Sequence, residues 1–321
     1  MHATPSRQRY RIEQTHVGVG ALPAYARRSV CRNEQYARRF GYTHTLTRNS
    51  LLKPNEYAAS WNKVARLLQL RDAGVTDTLV SFDIDVQVLD HTRSLAELLA
   101  PCGDAGLVLT TDANLVSPRH QLGCCRYSCK CMINAGFAVL RGSTAWLTEM
   151  LRASLSPDGI CRRQPRNGTK LNFHRLRQWE TDCFQRLLSD AGLLPSQDAL
   201  RRQHSLLHSL EQPALLGPGG RVCVLSQLRV APPLPSPNAT RAVYAASEER
   251  DTFRRFTEAA LAQSEHPLGR PFAVHNLQLG CRGGRCSREL ASRQLDALRF
   301  ADSSDDPEEA RYRECAARGD G

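Results

Sequence analysis

The chain has 321 residues, 41% of them hydrophobic and 23% charged, an ordinary globular composition with enough apolar material for a sizeable core. Its formal net charge is +11, but the 43 basic residues are scattered, with no long polybasic run and no basic stripe interleaved with aromatics. This argues against nucleic-acid binding and is matched as well by attraction to anionic ligands such as nucleotide diphosphates. No apolar stretch of about 18 residues exists, and the N-terminal segment lacks the basic and apolar regions of a signal peptide, so the chain as given is expected to be soluble.

In chain order, "RYRIEQTHVG" is the best candidate for a first strand, although it is short and polar. "RRSVCRNEQYARRFGYTHTL" predicts a helix through Phe40 stopped by Gly41, then a short strand from Tyr42. "SWNKVARLLQLRDAG" predicts a helix with Trp61, Val64, Ala65 and Leu68 on one stripe, Ser60 as N-cap and Gly74 at the C-terminal stop. Next comes "TLVSFDIDVQVLD", residues 78 to 90, whose apolar Phe82, Ile84, Val86 and Val88 predict a buried strand. Its period of two turns Asp83 and Asp85 to one face. Paired carboxylates repel unless they meet solvent or share a cation, and a hard divalent ion is the usual candidate. A D-x-D of this spacing also arises by chance, so the pair alone does not decide between a metal site and solvated acids.

The alternation continues with a helix in "SLAELL", a strand in "AGLVLTTD", a Cys-rich loop, a strand in "AGFAVLRG" and a helix in "STAWLTEMLRASL". "TDCFQRLLSDAG" follows as an amphipathic helix, with short strands in "RVCVLSQL" and "PFAVHN". This rhythm implies an α/β sandwich with a largely parallel sheet, in which ligands sit beyond the carboxyl ends of strands. Residues 1–300 read as a single domain, because the loop "PPLPSPNAT" is too short to separate two folds, and 301–321 reads as a flexible tail.

Twelve cysteines are many for a cytosolic chain, and they cluster: Cys124, Cys125, Cys129 and Cys131 lie in "GCCRYSCKC", and Cys281 and Cys286 flank "RGGR". Such pairs point to disulfides of an oxidising compartment, with a small zinc site as the rival. The cluster lacks paired C-x2-C knuckles, which favours disulfides. Sequons at Asn167 and Asn238 lean the same way. A lumenal protein of the secretory pathway (Golgi), with its signal or anchor absent from this sequence, is the expectation.

"NEQYARRFGYTHTL", "WNKVARLLQL", "VSFDIDVQVLD", "INAGFAVLRGSTAWL", "ETDCFQRLL" and "FAVHNLQLG" resemble, in this order, the landmarks of GT-A glycosyltransferases. The resemblance is to the fungal galactosyl/mannosyltransferase and plant xyloglucan xylosyltransferase group, and it covers residues 25 to 280. It implies a Rossmann-like nucleotide-sugar domain, a UDP-sugar donor, a glycan or glycoprotein acceptor, transfer with retention, and Mn2+ (or Mg2+) held by the D-x-D. Carried onto this chain, Asp85 is a direct metal ligand, Asp83 touches the ribose or metal-bound water, and His275 completes the metal shell. Lys63 matches a basic position near the nucleotide, while Asn134 and Gly136 match an N-x-G that binds the donor sugar. Asp182 matches a catalytic acidic position facing the sugar, although Cys183 stands where the family has Gln. The Cys-rich loop 117–132 is not part of the family pattern and suggests an acceptor-binding or lid element. A protein that keeps the fold without turnover, as a sugar-binding or scaffolding module, is the alternative.

Overall fold

The computed structural model describes residues 9–18, 20–53, 56, 57, 59–111, 133–142, 145–156, 180–194, 213–225, 230, 272–275, 310–312, 314 and 315. The elements are β1 (Tyr10–Thr15), α1 (Ala24–Phe40), β2 (Thr43–Thr47), α2 (Trp61–Asp72), β3 (Thr78–Phe82), β4 (Val86–Val88) and α3 (Leu95–Leu99). They are followed by β5 (Leu107–Thr111), β6 (Ile133–Leu140), α4 (Ala145–Ser154), α5 (Glu180–Asp190), β7 (Ala214–Leu216), β8 (Val222–Leu225) and β9 (Ala273–His275). Seven strands form one sheet in the order β2-β1-β3-β6-β5-β8-β7, and β4 pairs with β9 in a separate ribbon.

The expected α/β architecture is present. Strands β2, β1, β3, β5 and β8 point one way; β6, inserted between β3 and β5, and the edge strand β7 run against them. Both faces of the central strands are buried, which is why they read as continuous apolar runs. Leu79, Leu107, Leu109, Leu140, Val222 and Val224 face the layer that contains Trp61, Val64 and Leu67 of α2, Leu147 and Leu151 of α4, and Phe184 and Leu188 of α5. Their neighbours Val80, Phe82, Val108, Phe137 and Val139 face the other layer, with Tyr36 of α1, Leu95 and Leu99 of α3, and the β4–β9 ribbon.

Local signals explain several boundaries. Gly41, at φ 68°, ends α1 in the left-handed conformation that glycine adopts at least cost, and its N–H returns to the helix carbonyls. Ser94 and Glu97 form a reciprocal capping box at α3. Ser60 does not cap α2 as expected: its backbone is already helical and its side chain bonds no helix N–H. The turn at 59–60 instead feeds α2 through backbone bonds such as Asn62 N–H to the Ala59 carbonyl, 3.1 Å.

The largest departure lies at residues 78 to 90, where one continuous strand is expected. The strand stops at Phe82, residues 83–85 turn, and the chain resumes as β4 in the other ribbon. The Asp83 N–H donates to the Gly136 carbonyl (2.7 Å) and the Val86 N–H to the Asp83 carbonyl (2.9 Å), closing the turn. Asp83 and Asp85 therefore belong to a turn at the carboxyl end of β3, not to one face of a strand.

Two disulfides join distant parts of the chain: Cys102–Cys223, both buried, and Cys31–Cys315. Cys183 is disulfide-bonded as well. The pairings expected within 124–131 and between Cys281 and Cys286, the two sequons and the loop 117–132 lie outside the described residues. Of the expected tail, Tyr312 stacks under the Arg32 guanidinium, 3.8 Å from the ring centroid, and Cys315 is bonded to α1. No helix among the described residues is long and apolar enough to cross a membrane.

In the chain-entropy account, a bridge closing a loop of about 100 residues stabilises by about 4–5 kcal/mol. The pair Cys102→Ala and Cys223→Ala, whose bridge spans a separation of 121 residues, should lose a comparable amount on denaturant unfolding. A loss under about 1 kcal/mol would show that this bridge constrains the unfolded chain little.

Candidate active site

Lys63 sits in the first turn of α2, and the packing of Trp61 and Val64 into the core directs it along the end of β3. Its side chain is only 6% exposed, and its Nζ donates to Asp83 Oδ1 at 2.6 Å and to the Ala135 carbonyl at 3.0 Å. A buried ammonium needs both a counter-charge and hydrogen-bond acceptors, and these two groups supply them.

The Ala135 carbonyl is available because β6 is irregular there. β5 pairs Leu109 with Ala138 and then Thr110 with Asn134, so Ala135, Gly136 and Phe137 bulge away from the β5 ladder. On the bulge, the Asn134 side-chain oxygen accepts the Gly136 N–H at 2.7 Å, and the Gly136 carbonyl accepts the Asp83 N–H at 2.7 Å. Thr181, in the first turn of α5, accepts the Ala135 N–H at 3.4 Å and so anchors that helix end to the same bulge.

The structure thus brings Lys63, Asp83, Asn134 and Gly136 into one hydrogen-bonded cluster. Asp85, buried at 8% exposure, lies in the same turn. His275 pairs with Val86, the residue after Asp85, in the antiparallel β4–β9 ribbon, and Asp182 is the residue after Thr181 in α5. The side chains of His275 and Asp182 lie outside those described. Among the described residues no three His, Cys, Asp or Glu side chains converge on a point.

Sequence reasoning missed the polar layer beneath the turn. Gln14 of β1 donates from Nε2 to Ser29 Oγ (3.2 Å) and to the Asp83 carbonyl (3.4 Å), and its Oε1 is 3.0 Å from His44 Nε2. Since the Gln14 amide nitrogen is occupied as a donor, His44 is the donor to Oε1. Burial, with Arg38 nearby, pushes His44 down to about 4, which keeps the ring neutral near pH 7. The clue was available: Gln14 and Ser29 are polar residues inside otherwise buried stretches.

A cavity of about 410 Å³ lined by Tyr10, Gly103, Asp104, Gly106 and Arg141 opens at the other end of the sheet, where β1 and β5 begin. Arg141 there donates to the Leu99 and Gly103 carbonyls. The polar cluster, not this cavity, stands at the carboxyl end of β3, where open α/β sheets place their ligands.

No family model and no curated protein matches the chain. Among solved structures it is similar to a glycosyltransferase involved in the glycosylation of the major capsid of PBCV-1, with TM-score 0.47 and 12% identity over 90% of this chain and 99% of that one. It is also similar to the apo-form glycosyltransferase GlyE of Streptococcus pneumoniae TIGR4, with TM-score 0.41 and 10% identity over 96% of this chain and 63% of that one.

Two predictions follow from burial in and around this site. Asp83→Ala deprives a buried ammonium of its carboxylate and should cost about 3 kcal/mol, whereas Lys63→Met leaves a carboxylate that is 31% exposed and should cost less. Denaturant unfolding of both variants checks the ordering, and the reverse order would contradict it. His44 and His91 are both held near 4 by burial, below the ordinary 6.5. The unfolded chain therefore takes up their protons first, and stability present above pH 6.5 is lost as the pH falls toward 4, by about 3 kcal/mol each. A His44→Gln variant should show a visibly shallower decline over that window than the parent protein.

Proposed function

We propose that the protein is a metal-dependent glycosyltransferase that moves a hexose or pentose from a UDP-sugar to a hydroxyl of a glycan or glycoprotein, with retention at the anomeric carbon. The observation that carries this reading is the gathering of two carboxylates in one turn, a buried ammonium and a bulged strand at the carboxyl end of β3. The sequence resemblance assigns donor and metal roles to these same residues.

The residues fit a divalent cation. The turn offers carboxylate oxygens, one of which on Asp83 is already compensated by Lys63, and a hard ion such as Mn2+ or Mg2+ takes oxygen donors of this kind. Asp85 and His275 would hold it, with Asp83 beside the ribose. When bound, the cation supplies charge stabilisation for the departing diphosphate. The chain's own residues do the rest. Lys63 fixes the rotamer of Asp83. The oxygen of Asn134 is taken by the Gly136 N–H, so its amide nitrogen is the group left to meet a sugar hydroxyl, and Gly136 presents no side chain to obstruct the sugar. The resemblance assigns to Asp182, the residue after Thr181 in α5, the acidic position toward the donor sugar. In the transfer, the bond from the anomeric carbon to the diphosphate oxygen breaks and its electron pair leaves with UDP. The acceptor oxygen forms the new bond and releases its proton.

We place the protein in the lumen of the secretory pathway, the Golgi in a eukaryotic cell. The two disulfides that tie Cys102 to Cys223 and Cys31 to Cys315 support an oxidising compartment. A screen of UDP-sugars for manganese-dependent donor hydrolysis tests the activity. Asp85→Asn should lower the rate by about 10³-fold, the equivalent of about 4 kcal/mol of transition-state stabilisation, with the circular dichroism spectrum unchanged. Activity that survives both this substitution and a chelator would overturn the assignment.

A further inference from the structure

Ser29 and Asn33 lie one turn apart on α1 and reach the same backbone oxygen. Ser29 Oγ donates to the Val86 carbonyl at 2.6 Å, and Asn33 Nδ2 donates to it at 2.8 Å. The Asn33 side-chain oxygen accepts the Val88 N–H at 2.9 Å. β4 therefore has β9 along one edge and, along the other, a side-chain amide that donates and accepts as the peptide unit of a third strand does. Gln14 continues the arrangement by holding Ser29 Oγ and the Asp83 carbonyl together. All three side chains are buried: Gln14 and Asn33 at 0% and Ser29 at 1% exposure. Polar groups this deep are costly to desolvate, and these direct nearly all their bonds to three backbone groups between Asp83 and Val88 or to each other.

Val86 follows Asp85 directly and pairs with His275. The carbonyl that α1 grips is thus the joint between the two residues assigned to the cation. We propose that Ser29 and Asn33 are positioning residues of this site, which hold the 83–86 turn and the β4–β9 register so that Asp85 and His275 meet one divalent cation. The inference rests on reading those two residues as metal ligands. Ser29 and Asn33 touch neither cation nor sugar; they act through the Val86 carbonyl.

The test is a titration of Mn2+ in the presence of UDP, followed by the electron paramagnetic resonance signal of free manganese, with no turnover involved. Asn33→Ala and Ser29→Ala should weaken manganese affinity by about tenfold or more, the range found when groups supporting metal ligands are removed. Ser29→Thr, which keeps the hydroxyl, should stay within about twofold of the parent protein. Leu151→Ala, a cavity variant in the other core layer, should lower the melting temperature without changing affinity, which separates positioning from general destabilisation. If Asn33→Ala fails to fold, Ser29→Ala and Ser29→Thr decide. Folded alanine variants that bind manganese like the parent would overturn the positioning role while leaving the metal site standing. A parent protein that binds no manganese with UDP would overturn the metal reading itself, and the inference with it.

Discussion

The Lys63 ammonium is the constraint around which the site is organised. At 6% exposure it cannot be left to water, so the chain must bring acceptors to it. Meeting that need requires three elements to end or distort at one place. β3 has to stop at Phe82 so that Asp83 can turn toward α2. β6 has to leave the β5 ladder so that the Ala135 carbonyl is free. α2 has to begin at Trp61 so that its first turn reaches both. Each of these irregularities looks arbitrary alone. Together they satisfy one buried charge, and they place it beside the turn that carries the two carboxylates.

The fold class was legible in the sequence because both sheet faces are covered. Runs such as "LVL" and "FAVL" are apolar at every position, and the helices between them carry apolar stripes, the first ending at Gly41. The break at residues 83–85 was not legible. Phe82, Ile84 and Val86 keep a strand's alternation straight through it, and the turn is imposed by the Gly136 carbonyl, more than fifty residues away in the chain. For the same reason the β6 bulge left no local mark beyond Gly136, which the sequence resemblance had singled out as part of an N-x-G. Cysteine spacing suggested bridges between close neighbours, which lie outside the described residues, and gave no sign of the two pairs that span separations of 284 and 121 residues. Such pairings depend on which elements become spatial neighbours, which spacing does not report.

The sheet's two faces carry unlike duties. Lys63 approaches the turn from the α2 face, where Arg66 of the same helix also reaches the buried Glu13 of β1 at 3.1 Å. Gln14, the next residue of β1, points to the opposite face and joins Ser29 and Asn33 of α1. The turn is thus served from both sides, by Lys63 through charge and by Gln14 through neutral hydrogen bonds. The neutral side includes a histidine held near 4, so it carries no titrating charge across ordinary pH. Charge at the carboxylate turn can therefore respond to what binds there without competition from the layer that supports it.

The turn also removes an equivalence that a strand would have imposed. On a strand, Asp83 and Asp85 share a face and an environment, and nothing distinguishes their roles. In the turn they differ. Asp83 keeps a side chain 31% exposed and gives one oxygen to Lys63, while Asp85 is 8% exposed and lies next to the carbonyl that α1 grips. The Lys63 ammonium compensates the charge of Asp83, so the two acids are not interchangeable toward what binds at the turn. Under the proposed reading, Asp85, the more buried of the two acids, is the one assigned to the cation. The difference in burial and partners between the two acids thus arises from where β3 stops, and β3 stops where Lys63 requires it to.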